Sequence, residues 1–301
     1  MSIFTGSGVA LVTPFKNNSI DYTALKKLIQ WHLDSGTDAI VCCGTTGEAS
    51  TLSTSEKIEM VRFTVETAGG KVPVIAGAGT NNTSASVELA KEFSQAGADG
   101  LLVVTPYYNK ATRTGLVRHY ETIADATDLP VILYSVKSRT GLNIDADTVI
   151  ELSHHPNIAG IKEASSDISQ IAEIASYIAK CKESEEALTF DLYSGNDDQT
   201  IPVMSLGGIG CISTVANIIP AEYHLMTTRW LEGCHSDAVK MQLAMLPLIK
   251  ALFREVNPIP VKAALNMMNK IQREYRMPLC EPSSETLYLV YNEMVRYGIK
   301  L

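Results

Sequence analysis

Residues 96–110 read AGADGLLVVTPYYNK. A short turn rich in small residues and Asp leads into Gly100–Pro106 (GLLVVTP), an apolar run without polar alternation, and the run stops at Tyr107-Tyr108-Asn109. Continuous β-branched and leucine runs of this kind belong to parallel strands covered on both faces, because a strand with one wet face alternates. The same phrase recurs along the chain, in Gly8–Phe15, Ala39–Gly44, Val72–Gly77, Leu129–Tyr134, Ile158–Glu163, Phe190–Tyr193 and Ile209–Val215, which makes eight runs in all.

Between the runs lie segments of helical period. Asp21 is read as the entry to YTALKKLIQWHL, Ser53 with Glu56 as a capping box before KIEMVRFTVETA, and Thr83 as the entry to SASVELAKEFSQA. One strand and one helix recur every roughly 25 to 30 residues, the repeat expected of a (β/α)8 TIM barrel. An open doubly wound sheet is the competing topology, but the turn after the first run (PFKNNSID) lacks the GxGxxG of a dinucleotide fold. From Gly233 onward the runs cease, and AVKMQLAMLPLIKALF, VKAALNMMNKIQREY and SETLYLVYNEMVRYG all have helical period. The expected organisation is a catalytic barrel over 1–232 and a small C-terminal helical domain over 233–301.

Composition narrows the function. The chain has 301 residues, with 25 Lys and Arg against 33 Asp and Glu, for a formal net charge of −8. That sign argues against nucleic acid as a partner. At 46% apolar and 19% charged residues the chain has enough apolar material for a large core. No apolar window reaches the roughly 20 residues of a membrane span, and MSIFTGSGVALVTPF has no basic region ahead of its apolar stretch, so no membrane partner and a cytoplasmic location are expected. The six cysteines show no CxxC and no Cys/His pairing, so they encode neither a disulfide framework nor a metal site. Most are expected to be buried thiols.

Active sites of such barrels collect at the carboxyl ends of the strands. Lys162 stands inside the apolar run IAGIKEA, where desolvation disfavours an ammonium. An amine that is neutral part of the time attacks ketones and aldehydes to form a Schiff base. Alternatively the lysine pairs with Glu163 or reaches the rim, but neighbours on a strand face opposite ways. Tyr134 ends the adjacent run and offers a phenol for proton transfer, or else simply packs. Thr45 and Thr46 lie in a glycine-bounded turn whose amide and hydroxyl donors suit a carboxylate, although GTTG alone also describes an ordinary turn. Gly77-Ala78-Gly79 with Asn81-Asn82 is read as a strand-to-helix turn, because it lacks the Lys-Ser/Thr of a phosphate loop. Gly207–Gly210 falls before the eighth run, on the face away from the site, and His154-His155 at a helix end reads as solvated capping rather than metal ligation.

The blocks GTTGE (44–48), TPYYNK (105–110), SRTGLNI (138–144), IKEAS (161–165), YSGNDD (193–198), GGIGCIS (207–213) and NPIPVK (257–262), in that order, resemble the dihydrodipicolinate synthase family of pyruvate-dependent class I aldolases, in the N-acetylneuraminate lyase superfamily. The resemblance implies condensation of pyruvate with aspartate semialdehyde in lysine and diaminopimelate biosynthesis, with no cofactor beyond the covalent pyruvate imine on Lys162. It implies Lys162 as the Schiff-base residue, and Tyr134 with Thr45 and with Tyr108 of a neighbouring subunit as the proton relay. It places the pyruvate carboxylate on Thr45 and Thr46 and the aldehyde carboxylate on Arg139, with carbonyls near Gly195 and Ile212 lining the pocket. A tyrosine supplied across subunits implies a homo-oligomer, typically a tetramer built as a dimer of dimers.

Two positions depart from the family pattern. Tyr134-Ser135-Val136-Lys137 stands where Tyr-Asn-Val-Pro is usual, which removes a rigid proline and adds a charge near Arg139. Ala85, Thr54 and Lys57 match positions where lysine-inhibited members carry a glutamate and histidines. Without that carboxylate a lysine ammonium loses its partner, so feedback by lysine is expected to be weak or absent. Substantial inhibition by submillimolar lysine would contradict this. Sister aldolases acting on N-acetylneuraminate or keto-deoxy sugar acids, and a keto-acid-binding barrel without turnover, are the competing functions. Arg139 in its Arg-Thr-Gly context with NPIPVK favours the synthase, and a binding barrel has no need of a proton relay.

Overall fold

The computed structural model describes residues 2–183 and 189–301. In chain order its strands are β1 (Gly6–Ala10), β2 (Phe15–Lys16), β3 (Ser19–Ile20), β4 (Ala39–Cys42), β5 (Val74–Gly77), β6 (Gly100–Val104), β7 (Val131–Ser135), β8 (Ile158–Glu163), β9 (Asp191–Ser194) and β10 (Gly210–Ser213). β1 and β4 through β10 form a closed parallel barrel in sequence order, with β10 pairing back onto β1. This is the eightfold (β/α) arrangement expected from the apolar runs, and it rules out the open sheet.

The first run is shorter than its apolar stretch suggests. β1 stops at Ala10, and Phe15 belongs instead to an antiparallel ribbon in which it pairs with Ile20. The chain between them stays buried as it leaves the ladder: Leu11 N makes the last bond to β4, to Val41 O at 2.9 Å, and Val12 N turns instead to Asn217 Oδ1 at 3.1 Å. Burial, rather than strand geometry, selects apolar residues there.

Along the barrel strands side chains alternate between lumen and helix layer. Val41, Ile75, Leu102, Ile132, Tyr193 and Ile212 fill the lumen, whereas Ile40, Val74, Leu101, Val131 and Leu192 face the helices in a second apolar layer. Two glycines permit close approaches that close the structure. A Cβ on Gly210 would lie 2.2 Å from Gly6 O where β10 meets β1, and one on Gly77 would lie 2.1 Å from Cys43 O, beneath the turn that follows β4.

The crossover helices begin largely as expected. Asp21 caps Tyr22–Asp34, and Ser53 with Glu56 forms the capping box of Thr54–Ala68. The third entry lies one residue earlier than expected: Asn82, whose side chain accepts from Ser84 N, is the cap of Thr83–Gln95, and Thr83 is already helical. Thr83 uses its hydroxyl on His119 Nδ1 at 2.9 Å instead.

Helix Pro220–Leu231 completes the eighth unit, and His235–Leu252, Ile259–Met267 and Ser284–Tyr297 follow. Met245, Leu248, Val261, Leu265, Val290 and Met294 join the same apolar layer as the barrel helices. The stretch VKAALNMMNKIQREY is helical only as far as Met267; Asn269 takes a left-handed φ of 57° and the chain turns back toward the barrel. There Glu274 accepts from Asn17 N at 2.9 Å, and Arg276 pairs with Glu56. Of the six cysteines Cys42, Cys43, Cys181 and Cys211 are buried, while Cys234 and Cys280 are exposed. Among the described residues no helix is long and apolar enough to cross a membrane.

Candidate active site

Lys162 pairs with Tyr134 across β7 and β8 and with Tyr193 across β8 and β9. All three project into the lumen, where Lys162 is 5% exposed and its Nζ lies 4.3 Å from the centroid of the Tyr134 ring. Glu163 points the other way. Its buried carboxylate accepts from Ser165 N at 2.6 Å and from Gln170 Nε2 at 3.1 Å, and burial raises its pKa. The neighbouring carboxylate is thus committed to the helix layer, as strand alternation requires, and does not neutralise Lys162.

Above this pair opens a cleft of about 290 Å³ at the carboxyl ends of the strands. Thr45, Tyr134 and Arg139 share its wall. Thr45 sits in a turn closed by Gly47 N to Gly44 O at 3.1 Å and by Glu48 N to Thr45 O at 3.1 Å. Glu48, with a left-handed φ of 52°, anchors the turn from behind through an ion pair with Lys262; both side chains are fully buried. Thr46 faces inward and is 2% exposed; its Oγ1 accepts from Asn257 Nδ2 at 2.9 Å and lies 3.4 Å from Thr214 Oγ1. Arg139 lies in the short helix Lys137–Thr140 and donates to the backbone carbonyl of the same Asn257 at 3.2 Å. Lys57 also lines the cleft, and among the described residues no Asp or Glu does. Two cations and no carboxylate favour anionic ligands locally, against the negative charge of the whole chain.

A model of the dihydrodipicolinate synthetase family matches residues 3–294. The chain belongs to that family. A relative from Thermoanaerobacter sp. (strain X514), named 4-hydroxy-tetrahydrodipicolinate synthase, is 51% identical over 300 residues, covering 99% of this chain and 98% of the relative. 4-Hydroxy-tetrahydrodipicolinate synthase 1 of Clostridium acetobutylicum is 48% identical, with 99% of each covered. Among solved structures, dihydrodipicolinate synthase from Thermotoga maritima superposes with a TM-score of 0.95 at 40% identity, over 99% of this chain and 100% of that one. A monomeric dihydrodipicolinate synthase variant superposes equally well, with a TM-score of 0.95 at 40% identity, over 99% and 98% of the two chains.

Against this family's pattern the altered loop has a definite shape. Ser135 Oγ donates to Asn143 Oδ1 at 3.2 Å and accepts from Ile144 N at 3.3 Å. Lys137 takes the first position of the helical turn, the position where a proline is tolerated, and its side chain is exposed. Of the site residues expected from the sequence, Thr45, Tyr134 and Arg139 line the cleft, whereas Lys162, Thr46, Tyr108, Gly195 and Ile212 lie off its wall. Tyr108 is 90% exposed, with a left-handed φ of 73°, and stands away from the cleft of its own chain. Gly195 N donates to Glu163 O at 2.7 Å, and a Cβ there would meet that of Ala164 at 2.7 Å, so its place is fixed by close packing. Ile212 packs in the lumen.

Several residues at the site were not read as functional from the sequence. Gly77, at the end of β5, and Gly79 and Thr80, in the turn after it, belong to the cleft wall, although the sequence marked Gly77-Ala78-Gly79 only as a strand-to-helix turn. Asp197, buried at the end of β9, accepts from Thr214 N at 3.1 Å and Val215 N at 3.0 Å, which fixes the loop behind Thr46, and burial raises its pKa. Its place in YSGNDD marked it only as a strand-end acid. His154 caps the end of a helix and bonds Tyr177 at 2.8 Å, while His155 meets Asp125 at 3.1 Å. Among the described residues no group of His, Cys, Asp or Glu could hold a metal ion.

Proposed function

We propose that this chain is a lyase that condenses pyruvate with L-aspartate 4-semialdehyde, through an imine on Lys162, to give 4-hydroxy-tetrahydrodipicolinate in the route to diaminopimelate and lysine. The observation that carries this reading is the buried Lys162 amine stacked on Tyr134, a residue that also lines a cleft with Thr45, Lys57 and Arg139 in its wall. The names of the relatives support it.

In this reading the pyruvate carboxylate rests on Thr45 and Thr46, which presents C2 to Lys162. The amine adds to C2, the keto oxygen leaves as water, and loss of a C3 proton gives an enamine. The imine nitrogen receives that electron pair, so the chemistry calls for no cofactor beyond the covalent imine. Tyr134, with Thr45 and with Tyr108 of the partner subunit, moves the protons. Arg139 holds the aldehyde carboxylate while C3 attacks the aldehyde carbon, and the substrate's own amine then displaces Lys162 to close the ring. Carbonyls near Gly195 and Ile212 complete the pocket wall once pyruvate is attached. The exposed Tyr108 supports a homo-oligomer, read here as a tetramer of two dimers, with residues 1–232 as the catalytic barrel, 233–301 as its helical domain and the cytoplasm as the place of work.

Turnover decides the substrate. Purified chain given pyruvate and aspartate semialdehyde, with product consumption coupled to a reductase, is expected to outpace cleavage of N-acetylneuraminate and 2-keto-3-deoxy sugar acids. Turnover of the sugar acids alone would assign it to a sister aldolase. No turnover with any of them would make it a keto-acid-binding barrel.

A further inference from the structure

Asn257 opens the NPIPVK block and has no part in the reaction just described. It is 6% exposed and precedes helix Ile259–Met267, in the chain that follows the barrel. Its Nδ2 donates to Thr46 Oγ1 at 2.9 Å and lies 3.5 Å from Thr214 Oγ1, and its backbone carbonyl accepts from Arg139 at 3.2 Å. One residue therefore touches both elements to which the proposed function gives a substrate carboxylate.

A threonine hydroxyl has one proton to donate and two lone pairs to accept with. Asn257 Nδ2 occupies an acceptor position of Thr46 Oγ1, so the Thr46 proton must point elsewhere. Among the described residues the one acceptor within reach is Thr214 Oγ1, at 3.4 Å, well beyond the usual O–H···O distance of about 2.7–2.8 Å. A carboxylate entering the cleft is a stronger acceptor and takes the proton. The amide also leaves Oδ1 without a hydrogen-bond partner among the described residues, a cost that a residue present only to fill space would not carry.

We propose that Asn257 is a positioning residue: its side chain fixes Thr46 as a hydrogen-bond donor to the pyruvate carboxylate, while its carbonyl sets the reach of Arg139. The inference rests on the function proposed above. It predicts unequal effects on the two substrates, because a side-chain change removes the bond to Thr46 and leaves the bond to Arg139.

Steady-state kinetics of the full chain test it. Asn257→Ala is expected to raise KM for pyruvate about tenfold, with kcat and KM for the aldehyde within about threefold. The isosteric Asn257→Asp would accept the Thr46 proton and set a negative charge beside the carboxylate, so it is expected to raise pyruvate KM further. In a double-mutant cycle Thr46→Val with Asn257→Ala should be no worse than Thr46→Val alone, since the amide acts through that hydroxyl. Unchanged pyruvate KM in the folded variants, independent effects in the cycle, or equal loss for both substrates would overturn the proposal. So would failure of both Asn257 variants to fold, which would make the residue structural. Borohydride trapping of pyruvate on the unaltered chain separates the two readings: an adduct with unaffected variants removes the role of Asn257 alone, and no adduct removes the function with it.

Discussion

Phenylalanine at position 134 would keep the ring beside Lys162 and delete only the phenol, so Tyr134→Phe isolates proton transfer from packing. Its kcat is expected to fall by about 10²–10⁴-fold, the usual contribution of a positioned acid or base, with an unaltered unfolding temperature. A loss below threefold would assign Tyr134 to packing. Lys162 and Tyr134 were legible in the sequence because a charge inside IAGIKEA and a phenol closing LPVILY break apolar runs locally. Asn257 was not, because its meaning lies in contact with Thr46, 211 residues away, and neither period nor composition encodes such a distance. Asp197 was hidden similarly: the sequence shows an acid at a strand end, but only the fold shows that it holds the backbone of the β10 loop.

Single elements are held to one another by charge as well as by apolar contact. Helix Thr54–Ala68 starts at the capping box of Ser53 and Glu56, and Glu56 also accepts from the two terminal guanidinium nitrogens of Arg276, at 2.6 and 2.9 Å. That Arg276 pairing, reinforced by the capping bonds, lowers the Glu56 pKa from 4.5 to about 2. A carboxylate depressed in the folded state stabilises above its unfolded pKa, and the effect is lost as pH falls through the folded value. The unfolding temperature of the native chain should therefore exceed that of Glu56→Gln at neutral pH, with the gap closing between about pH 4.5 and 2. A gap that stays constant through that range would mean that the difference does not come from the charge on Glu56. Period and cap residues announce this helix; its clamp is not legible, because Arg276 lies 220 residues further along and reaches Glu56 only where the chain turns back after Met267. Packing of Glu48 with Lys262 has the same origin, and removing one partner of such a pair costs about 3–5 kcal/mol.

At the scale of the whole molecule, the barrel followed from a repeat that the sequence states eight times, and the join between the barrel and the C-terminal helices did not. Those helices contribute to the barrel's outer apolar layer, and they and the segments joining them bring Asn257, Lys262 and Arg276 to the turn that carries Thr45 and Thr46 or to the helix after it. The exposed Tyr108 makes assembly part of the proposed chemistry. If each site borrows Tyr108 from the partner subunit, mixing Tyr108→Phe with Tyr134→Phe chains under subunit exchange should restore part of the activity, because some sites then hold both phenols. No recovery after exchange has been verified by mass would confine each site to one chain.

The central claim is that Lys162 is the nucleophile toward pyruvate. Borohydride reduction of the chain in the presence of pyruvate, followed by peptide mass analysis, measures it most directly. The expected result is one reduced pyruvate adduct on Lys162, absent without pyruvate and absent in Lys162→Ala. A fully active chain with no adduct, or an adduct on Lys57 or Lys262 and none on Lys162, would contradict the account.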